Sequence, residues 1–216
     1  MEVVQLSESN HEAVAKRVAW LLKCGGVAAV PTDTVYGLLA DTLRFSSVEK
    51  VWRMKERAHT KAMPVLVRDL EMARQYAVID EHLERILKNL WPGQTTVVLR
   101  KQRAMPDVVT AGAKTIGLRI PDHAFLRRVL GLFSNPVIGT SANISGNEPA
   151  QSTEEVLSTF RRHIPRPDLV VDSGVLPPSP PSTVLDLTNP SSPQILRFGA
   201  ITKEKLGQWL SQWQKQ

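Results

Sequence analysis

The sequence has 216 residues, of which 42% are hydrophobic and 22% are charged, and this composition is typical of a globular protein and argues against a disordered chain. The 27 Lys and Arg residues exceed the 21 Asp and Glu residues, giving a formal net charge of +6 that favours anionic partners such as nucleotides or RNA. A single cysteine, Cys24, excludes an intramolecular disulfide and a thiolate-rich metal site. No signal peptide or membrane span is recognisable, so we expect a cytoplasmic single domain, residues 1–216, without a membrane partner.

Helical and strand patterns alternate along the chain. Apolar residues recur at helical spacing over about residues 10–24, 46–55, 69–76, 80–90, 123–133, 153–163 and 202–213. Short apolar runs predict strands at about residues 27–30, 63–67, 95–99, 115–120, 137–140, 169–171, 183–187 and 194–197. This alternation predicts an α/β fold, and the hairpin-like spacing late in the chain indicates a mixed parallel and antiparallel sheet flanked by helices.

The first polar segment that could bind a ligand runs from Pro31 to Leu38 and follows the first predicted strand directly. Hydroxyl groups, including that of Thr34, at the end of a buried strand are typical of a small-ligand pocket. The alternative is a structural Asp/Thr turn in which Gly37 bends the chain.

A second segment, Lys55 to Lys61, carries three cations at the end of a predicted helix. Lys55 and Arg57 can converge on an anion such as bicarbonate or phosphate where the helix frays. Alternatively, these cations only complement the dipole at the carboxyl end of the helix.

The third segment places Arg119 inside an otherwise apolar strand. A buried guanidinium needs a partner, which is either the carboxylate of a substrate or an internal Asp or Glu.

Short polar side chains follow the predicted strand at 137–140. Ser141 and Asn143 there can bind phosphate oxygens without contributing charge. The glycine-rich signatures of common nucleotide-binding loops are absent, so any nucleotide site must be built differently. A last segment at Ser182 to Leu187, followed by Arg197, is equally well explained as a capped strand.

Six segments occur in an order and spacing that resemble the YrdC-like family: PTDTVYGL, KER followed by Lys61, GLRIPDH, TSANISG, PSTVLDL and ILRFGAI. The resemblance spans about residues 10–205, which we take as the core of the domain. It implies an α/β fold with a twisted mixed sheet around a central, positively charged cavity.

Enzymes of this family are L-threonylcarbamoyladenylate synthases. The resemblance therefore implies a nucleotidyltransferase that condenses L-threonine, bicarbonate or CO2, and ATP to L-threonylcarbamoyl-AMP and pyrophosphate. A partner transferase complex then uses the product to form N6-threonylcarbamoyladenosine next to the anticodon of tRNA. Mg²⁺ is expected with ATP and not in a protein-held metal site, and tRNA or double-stranded RNA is a further expected partner.

The resemblance also implies residue roles. Lys55 and Arg57 are expected to be catalytic. The expected contacts of L-threonine are Thr34, Arg119, Thr140 and Ser182. The expected contacts of ATP are Arg57, Lys61, Thr115, Ser141, Asn143, Ser152 and Arg197.

Two positions depart from the family pattern, because Ala58 and Phe198 stand where proline is usual. The first change loosens the loop after Arg57, and the second makes the resemblance less complete at Arg197. The closest rival is a non-catalytic YrdC-like protein that binds double-stranded RNA or ribosomes, but such relatives tend to lack the paired Lys-x-Arg and Ser-x-Asn motifs. A carbamoyl-transfer module of hydrogenase maturation would normally belong to a much larger, cysteine-rich chain.

Overall fold

A computed structural model describes residues 1–213, with side chains as far as Trp209. In this part of the chain the strands are β1 (Glu2–Gln5), β2 (Ala28–Val30), β3 (Gly37–Asp41), β4 (Val65–Leu66), β5 (Thr95–Arg100), β6 (Thr115–Arg119), β7 (Val137–Ser141), β8 (Leu169–Asp172), β9 (Thr183–Asp186) and β10 (Gln194–Arg197). The helices are α1 (His11–Lys23), α2 (Phe45–Met54), α3 (Leu70–Tyr76), α4 (Glu81–Leu90), α5 (Asp107–Thr110), α6 (Ala124–Leu132), α7 (Thr153–Phe160) and α8 (Lys203–Trp213). None of these described helices is both long and apolar enough to cross a membrane.

The strands form one ten-stranded sheet in the order β1-β8-β2-β3-β7-β4-β6-β5-β9-β10. The pairs β1/β8, β2/β8, β4/β6 and β5/β9 are parallel, and the remaining neighbours are antiparallel. The predicted mixed α/β fold is therefore confirmed, including the late hairpin of β9 and β10. Three elements were not predicted, namely β1, β3 and the short α5.

Each face of the sheet carries its own apolar core. Side chains alternate along a strand, so Ala29 of β2 joins a cluster with Trp52 and Phe160, while Val30 joins a cluster with Val18 and Phe125. The first cluster is covered by α2, α3, α4 and α7, and the second by α1 and α6. This layering protects both faces, as a largely buried mixed sheet requires.

Glycines leave a depression on the face that packs against α6. Gly37 of β3 and Gly139 of β7 lie there beside Leu39 and Leu66. A Cβ atom on Gly139 would lie 2.2 Å from Cγ of Leu66, so only glycine fits that position as the strands stand. The small side chains make room for the cavity described next.

Candidate anion-binding site

The depression opens into a cavity of about 180 Å³. Nine of the twelve predicted site residues line it: Thr34, Lys55, Arg57, Arg119, Thr140, Ser141, Asn143, Ser182 and Arg197. They come from the turn after β2, the end of α2, the ends of β6 and β7, and the segments around β9 and β10. Folding thus gathers residues that are up to 163 positions apart in the sequence (34 to 197).

The other three predicted residues do not line the cavity. Lys61 is exposed, and its carbonyl oxygen accepts a hydrogen bond from Nε of Arg57 at 3.0 Å. Thr115 begins β6, about 13 Å along that strand from Arg119. Ser152 caps α7, because its hydroxyl accepts the backbone N–H of Glu155 at 3.1 Å. The ATP contacts assigned to these three residues stay predictions.

Lys55 is buried, with only 2% of its surface exposed. Its ammonium group donates to the carbonyl oxygen of Ser141 at 2.6 Å, and to the backbone and side-chain oxygens of Asn143 at 2.9 Å and 2.8 Å. An ammonium group has three hydrogens, so these acceptors use all of them. Lys55 therefore fixes the chain after β7, and its charge reaches the cavity through space.

The surroundings of Lys55 disfavour its charged form. Burial first, and the charge of Arg57 second, lower the pKa of Lys55 to about 7. The oxygen acceptors around its ammonium group are neutral, because they belong to two carbonyls and an amide. The pKa of Lys55 in the free protein is consequently close to neutral pH.

Arg57 emerges from a tight turn at the end of α2. Glu56 has a φ of 46°, in the left-handed region, and the backbone N–H of Arg57 donates to the carbonyl oxygen of Trp52 at 3.2 Å. The guanidinium group is held by the carbonyl oxygens of Lys61 and Ala62 at 3.0 Å and 2.8 Å. Because these acceptors carry no formal charge, the positive charge of Arg57 remains available to an anion.

The loop after β7 supplies short polar groups. The hydroxyl of Ser141 donates to Oδ1 of Asn143 at 2.7 Å, and Nδ2 of Asn143 donates to the carbonyl oxygen of Asn147. Ser145, which also lines the cavity, has a buried hydroxyl oxygen that finds no hydrogen-bond partner among the described residues. Its backbone N–H is tied to the carbonyl oxygen of Lys55 at 2.8 Å. Ser145 was not among the predicted site residues, although it lies in the same TSANISG segment.

Arg119 has an internal partner, which the sequence left as one of two alternatives. Its Nη2 atom donates to Oδ1 of Asp33 at 2.5 Å, and its Nε atom donates to the carbonyl oxygen of Gly93 at 2.8 Å. Burial lowers the pKa of Arg119 and the charge of Asp33 opposes this shift. Asp33 was not predicted as a site residue, because 86 positions separate the pair.

Arg197 contacts the proline-rich segment, residues 176–182. Its guanidinium donates to the carbonyl oxygen of Ser182 at 2.7 Å and to the hydroxyl of Ser182 at 3.3 Å. Burial and, secondarily, the charge of Arg119 lower the pKa of Arg197. Arg197 thus positions Ser182 in the lining of the cavity.

The described lining contains four cationic side chains and no carboxylate. Among the described residues there is also no group of three His, Cys, Asp or Glu side chains that could hold a metal ion. An α/β sheet with these cations and hydroxyl groups in one cavity defines a protein that binds small anions.

The chain belongs to the Sua5/YciO/YrdC family, which is described as telomere recombination and matches residues 20–199. A curated relative from Methanocaldococcus jannaschii, named putative threonylcarbamoyl-AMP synthase, is 32% identical over 208 residues, which cover 95% of this chain and 96% of the relative. The human threonylcarbamoyl-AMP synthase is 33% identical over 214 residues, which cover 93% of this chain and 73% of that protein. The family predicted from the ordered motifs is confirmed.

A solved structure is similar over almost the whole chain. The crystal structure of Pyrococcus abyssi Sua5 complexed with L-threonine has a TM-score of 0.89 and 29% identity, and covers 97% of this chain. The match covers only 61% of the Pyrococcus protein. The chain thus spans about three fifths of that relative and nearly all of the Methanocaldococcus one.

Proposed function

We propose that this chain is a threonylcarbamoyl-AMP synthase, which joins L-threonine, bicarbonate or CO2, and ATP and releases pyrophosphate. The observation that carries the proposal is the meeting of the Lys-x-Arg and Ser-x-Asn motifs in one cavity, where Lys55 binds Ser141 and Asn143 directly. Relatives of nearly full-length similarity bear this name, which favours the synthase over the non-catalytic RNA-binding alternative.

The reaction brings two anions together. The neutral amine of threonine attacks CO2 with loss of a proton, or bicarbonate with loss of water, to form an N-carboxylate. The N-carboxylate then attacks the α-phosphorus of ATP in line as pyrophosphate leaves. Arg119 holds the α-carboxylate of threonine, and Thr34, Thr140 and Ser182 surround the amino acid. Arg57 offers its charge to the carboxylate and phosphoryl oxygens, where negative charge accumulates in the transition state.

Lys55 acts mainly by holding the loop that follows β7. Its three donors are occupied by oxygens of that loop, so it orients Ser141 and Asn143 toward the phosphates. Its nearby charge offsets the repulsion between the two anions, which favours their close approach. Bound anions stabilise the protonated form, so substrate binding raises the pKa of Lys55.

We place threonine and the reacting phosphate among the cations of the cavity, with the remainder of ATP extending toward its mouth. The described lining offers hydroxyl and carbonyl oxygens without a carboxylate, which does not fit a protein-held magnesium ion, so Mg²⁺ enters on the triphosphate.

The product would serve a transferase complex that modifies adenosine next to the anticodon of tRNA, and we place this reaction in the cytoplasm. Direct contact with tRNA or double-stranded RNA is a separate part of the proposal. It is supported by the net charge of +6.

The proposal is tested by incubating the protein with L-threonine, labelled bicarbonate, ATP and Mg²⁺. Pyrophosphate release that depends on threonine is expected, together with a labelled adenylate. Arg57→Ala should lower kcat/KM for ATP by about 100-fold or more, as expected when a preorganised donor is removed from a transition state. Arg53→Ala, which removes an exposed cation from the same helix, is the matched control and should behave like the unaltered protein. Pyrophosphate release that is independent of threonine would refute the synthase assignment.

A further inference from the structure

The pairing of Asp33 with Arg119 distinguishes one cation of the cavity from the others. In the described lining, Lys55, Arg57 and Arg197 bind only neutral oxygens, whereas Arg119 forms an ion pair. The side chains of Arg119 and Asp33 are 8% and 9% exposed, so water screens their interaction weakly. The cavity therefore contains two kinds of position for an anion. At one kind the positive charge of the protein is not neutralised, and at the other the charge of Arg119 is balanced by Asp33.

Asp33 stands behind Arg119 as seen from the cavity. It is absent from the cavity lining and instead borders a separate surface groove with Gln94 and Asp122. Its position is fixed, because its backbone carbonyl accepts a hydrogen bond from Gln94 at 2.5 Å and its Oδ2 atom accepts the backbone N–H of Asp122 at 3.4 Å. The carboxylate thus balances the charge of Arg119 without occupying the space in front of it.

The remaining hydrogens of Arg119 are free to bind a ligand. A guanidinium has five N–H groups, and the described residues accept from its Nε and Nη2 atoms only. The two fixed contacts hold the plane of the group, which leaves Nη1 and one Nη2 hydrogen to a ligand. Such a fork matches a carboxylate.

We propose that Asp33 is the specificity-determining residue of the amino-acid position, because it makes Arg119 selective for the carboxylate of a zwitterion over phosphate. An amino acid brings its own ammonium charge and needs little net positive charge from the protein. A phosphate dianion, by contrast, is repelled by Asp33 and goes to the unneutralised Lys55 and Arg57. This inference rests on the proposed function in taking threonine as the amino acid and in placing its carboxylate at Arg119.

The first test needs no variant. Inorganic phosphate, titrated against both substrates in the threonine-dependent pyrophosphate assay, should compete with ATP and not with threonine. Competition with threonine in the unaltered protein would overturn the inference.

The second test removes the charge and keeps the shape. Asp33→Asn retains an acceptor for Arg119 but leaves the charge of Arg119 unbalanced, so phosphate should become a competitor of threonine. Its inhibition constant against threonine should be at least about 10-fold lower than in the unaltered protein. The KM for ATP should change by less than about twofold, since Asp33 lies outside the cavity. Asp33→Glu restores the charge and should restore insensitivity to phosphate.

Asp122→Asn is the matched control. It removes an exposed carboxylate from the same groove, and the side chain of Asp122 does not bind Arg119. Unchanged phosphate inhibition in Asp33→Asn, or an equal effect of Asp122→Asn, would overturn the inference. Calorimetric titration of phosphate, with and without L-threonine, repeats the comparison without turnover. If the protein lacks synthase activity, but L-threonine displaces phosphate from Asp33→Asn and not from the unaltered protein, the proposed function is refuted and the role of Asp33 stands.

Discussion

Lys55 is buried although, in the described part of the chain, its ammonium group forms hydrogen bonds to neutral oxygens only. The sequence predicted that Lys55 and Arg57 either grip an anion or complement the helix dipole. The structure adds a third role for Lys55, which is to hold the loop after β7. That role depends on the ammonium charge, because the neutral amine has one hydrogen fewer for the same three acceptors.

The rate should therefore depend on the protonation of Lys55. Since kcat/KM reports ionisations of the free enzyme and the pKa of Lys55 is about 7, kcat/KM for ATP should fall as the pH rises above about 7. Lys55→Arg keeps its charge across this range, so dividing the profile of the unaltered protein by that of the variant removes the ionisations of the substrates. A ratio that does not change between about pH 6 and 9, a range that extends to both sides of that pKa, would contradict the prediction.

The same group makes stability depend on pH. The pKa of Lys55 is lowered from 10.5 to about 7 on folding, so between these values the unfolded chain binds more protons. The free energy of unfolding should consequently rise with pH from about 7 to about 10.5, and this contribution is lost as the pH falls through 7. Urea titrations of the unaltered protein and Lys55→Met, which cannot titrate, measure the difference.

At the scale of elements, the segment after β10 locks the proline-rich segment against the cavity. The backbone N–H of Ala200 donates to the carbonyl oxygen of Pro181 at 2.9 Å, next to the contacts of Arg197 with Ser182. Gly199 lies so close that a Cβ atom there would be 2.2 Å from the carbonyl oxygen of Pro181. Backbone cannot yield as a flexible side chain does, so Ser182 would have to move.

Gly199→Ala should therefore raise the KM for threonine more than that for ATP, and destabilise the fold by about 1–3 kcal/mol through overpacking. Gly131→Ala is the control, because this glycine lies inside α6 with nothing within 4 Å of an added Cβ. It should leave both KM values unchanged and stabilise the helix by about 0.5–1 kcal/mol. Steady-state kinetics and urea unfolding of the two variants test the contrast, and equal effects would refute the locking role of Gly199.

Local pattern predicted most elements but not all of them. Strand β3 was missed because it begins at Gly37 within a polar motif and is buried along its whole length, so it lacks the alternation of a half-buried strand. Strand β1 is a short edge strand with three exposed residues, and it pairs with β8, where Glu2 lies opposite Leu169. Its stability comes from that distant partner, which no local window contains.

For the whole molecule, the sheet decides which motifs meet. Residues near the ends of β2, β6 and β7 were predicted to bind ligands, and the sheet places them around one cavity. Thr115 lies at the opposite end of β6 from Arg119 and does not line the cavity, and the separation of these two residues already follows from the predicted strand. The identity of the Asp33–Arg119 pair follows from the fold. The sequence predicted that Arg119 needs a carboxylate partner, but no local window contains a residue 86 positions away.

The distribution of positive charge over the surface indicates where RNA could bind. His163 approaches Glu56 at 3.6 Å, which places the end of α7, with the exposed Arg161 and Arg162, beside the cationic loop that begins at Lys55. Cations are thus concentrated near one wall of the cavity. A phosphate backbone lying there would bring a polyanion close to the site where the adenylate is made.

Affinity for tRNA or double-stranded RNA should fall steeply as salt rises, because each neutralised phosphate releases a counterion. Replacing both Arg161 and Arg162 by Glu should weaken binding and reduce the slope of log affinity against log salt by about 2. Arg127→Glu is the control, since Arg127 is exposed on α6, which covers the other face of the sheet from α7. Fluorescence anisotropy with labelled RNA at several salt concentrations measures these slopes. Binding that ignores salt, or that weakens equally in the Arg127 variant, would mean that this surface does not hold RNA.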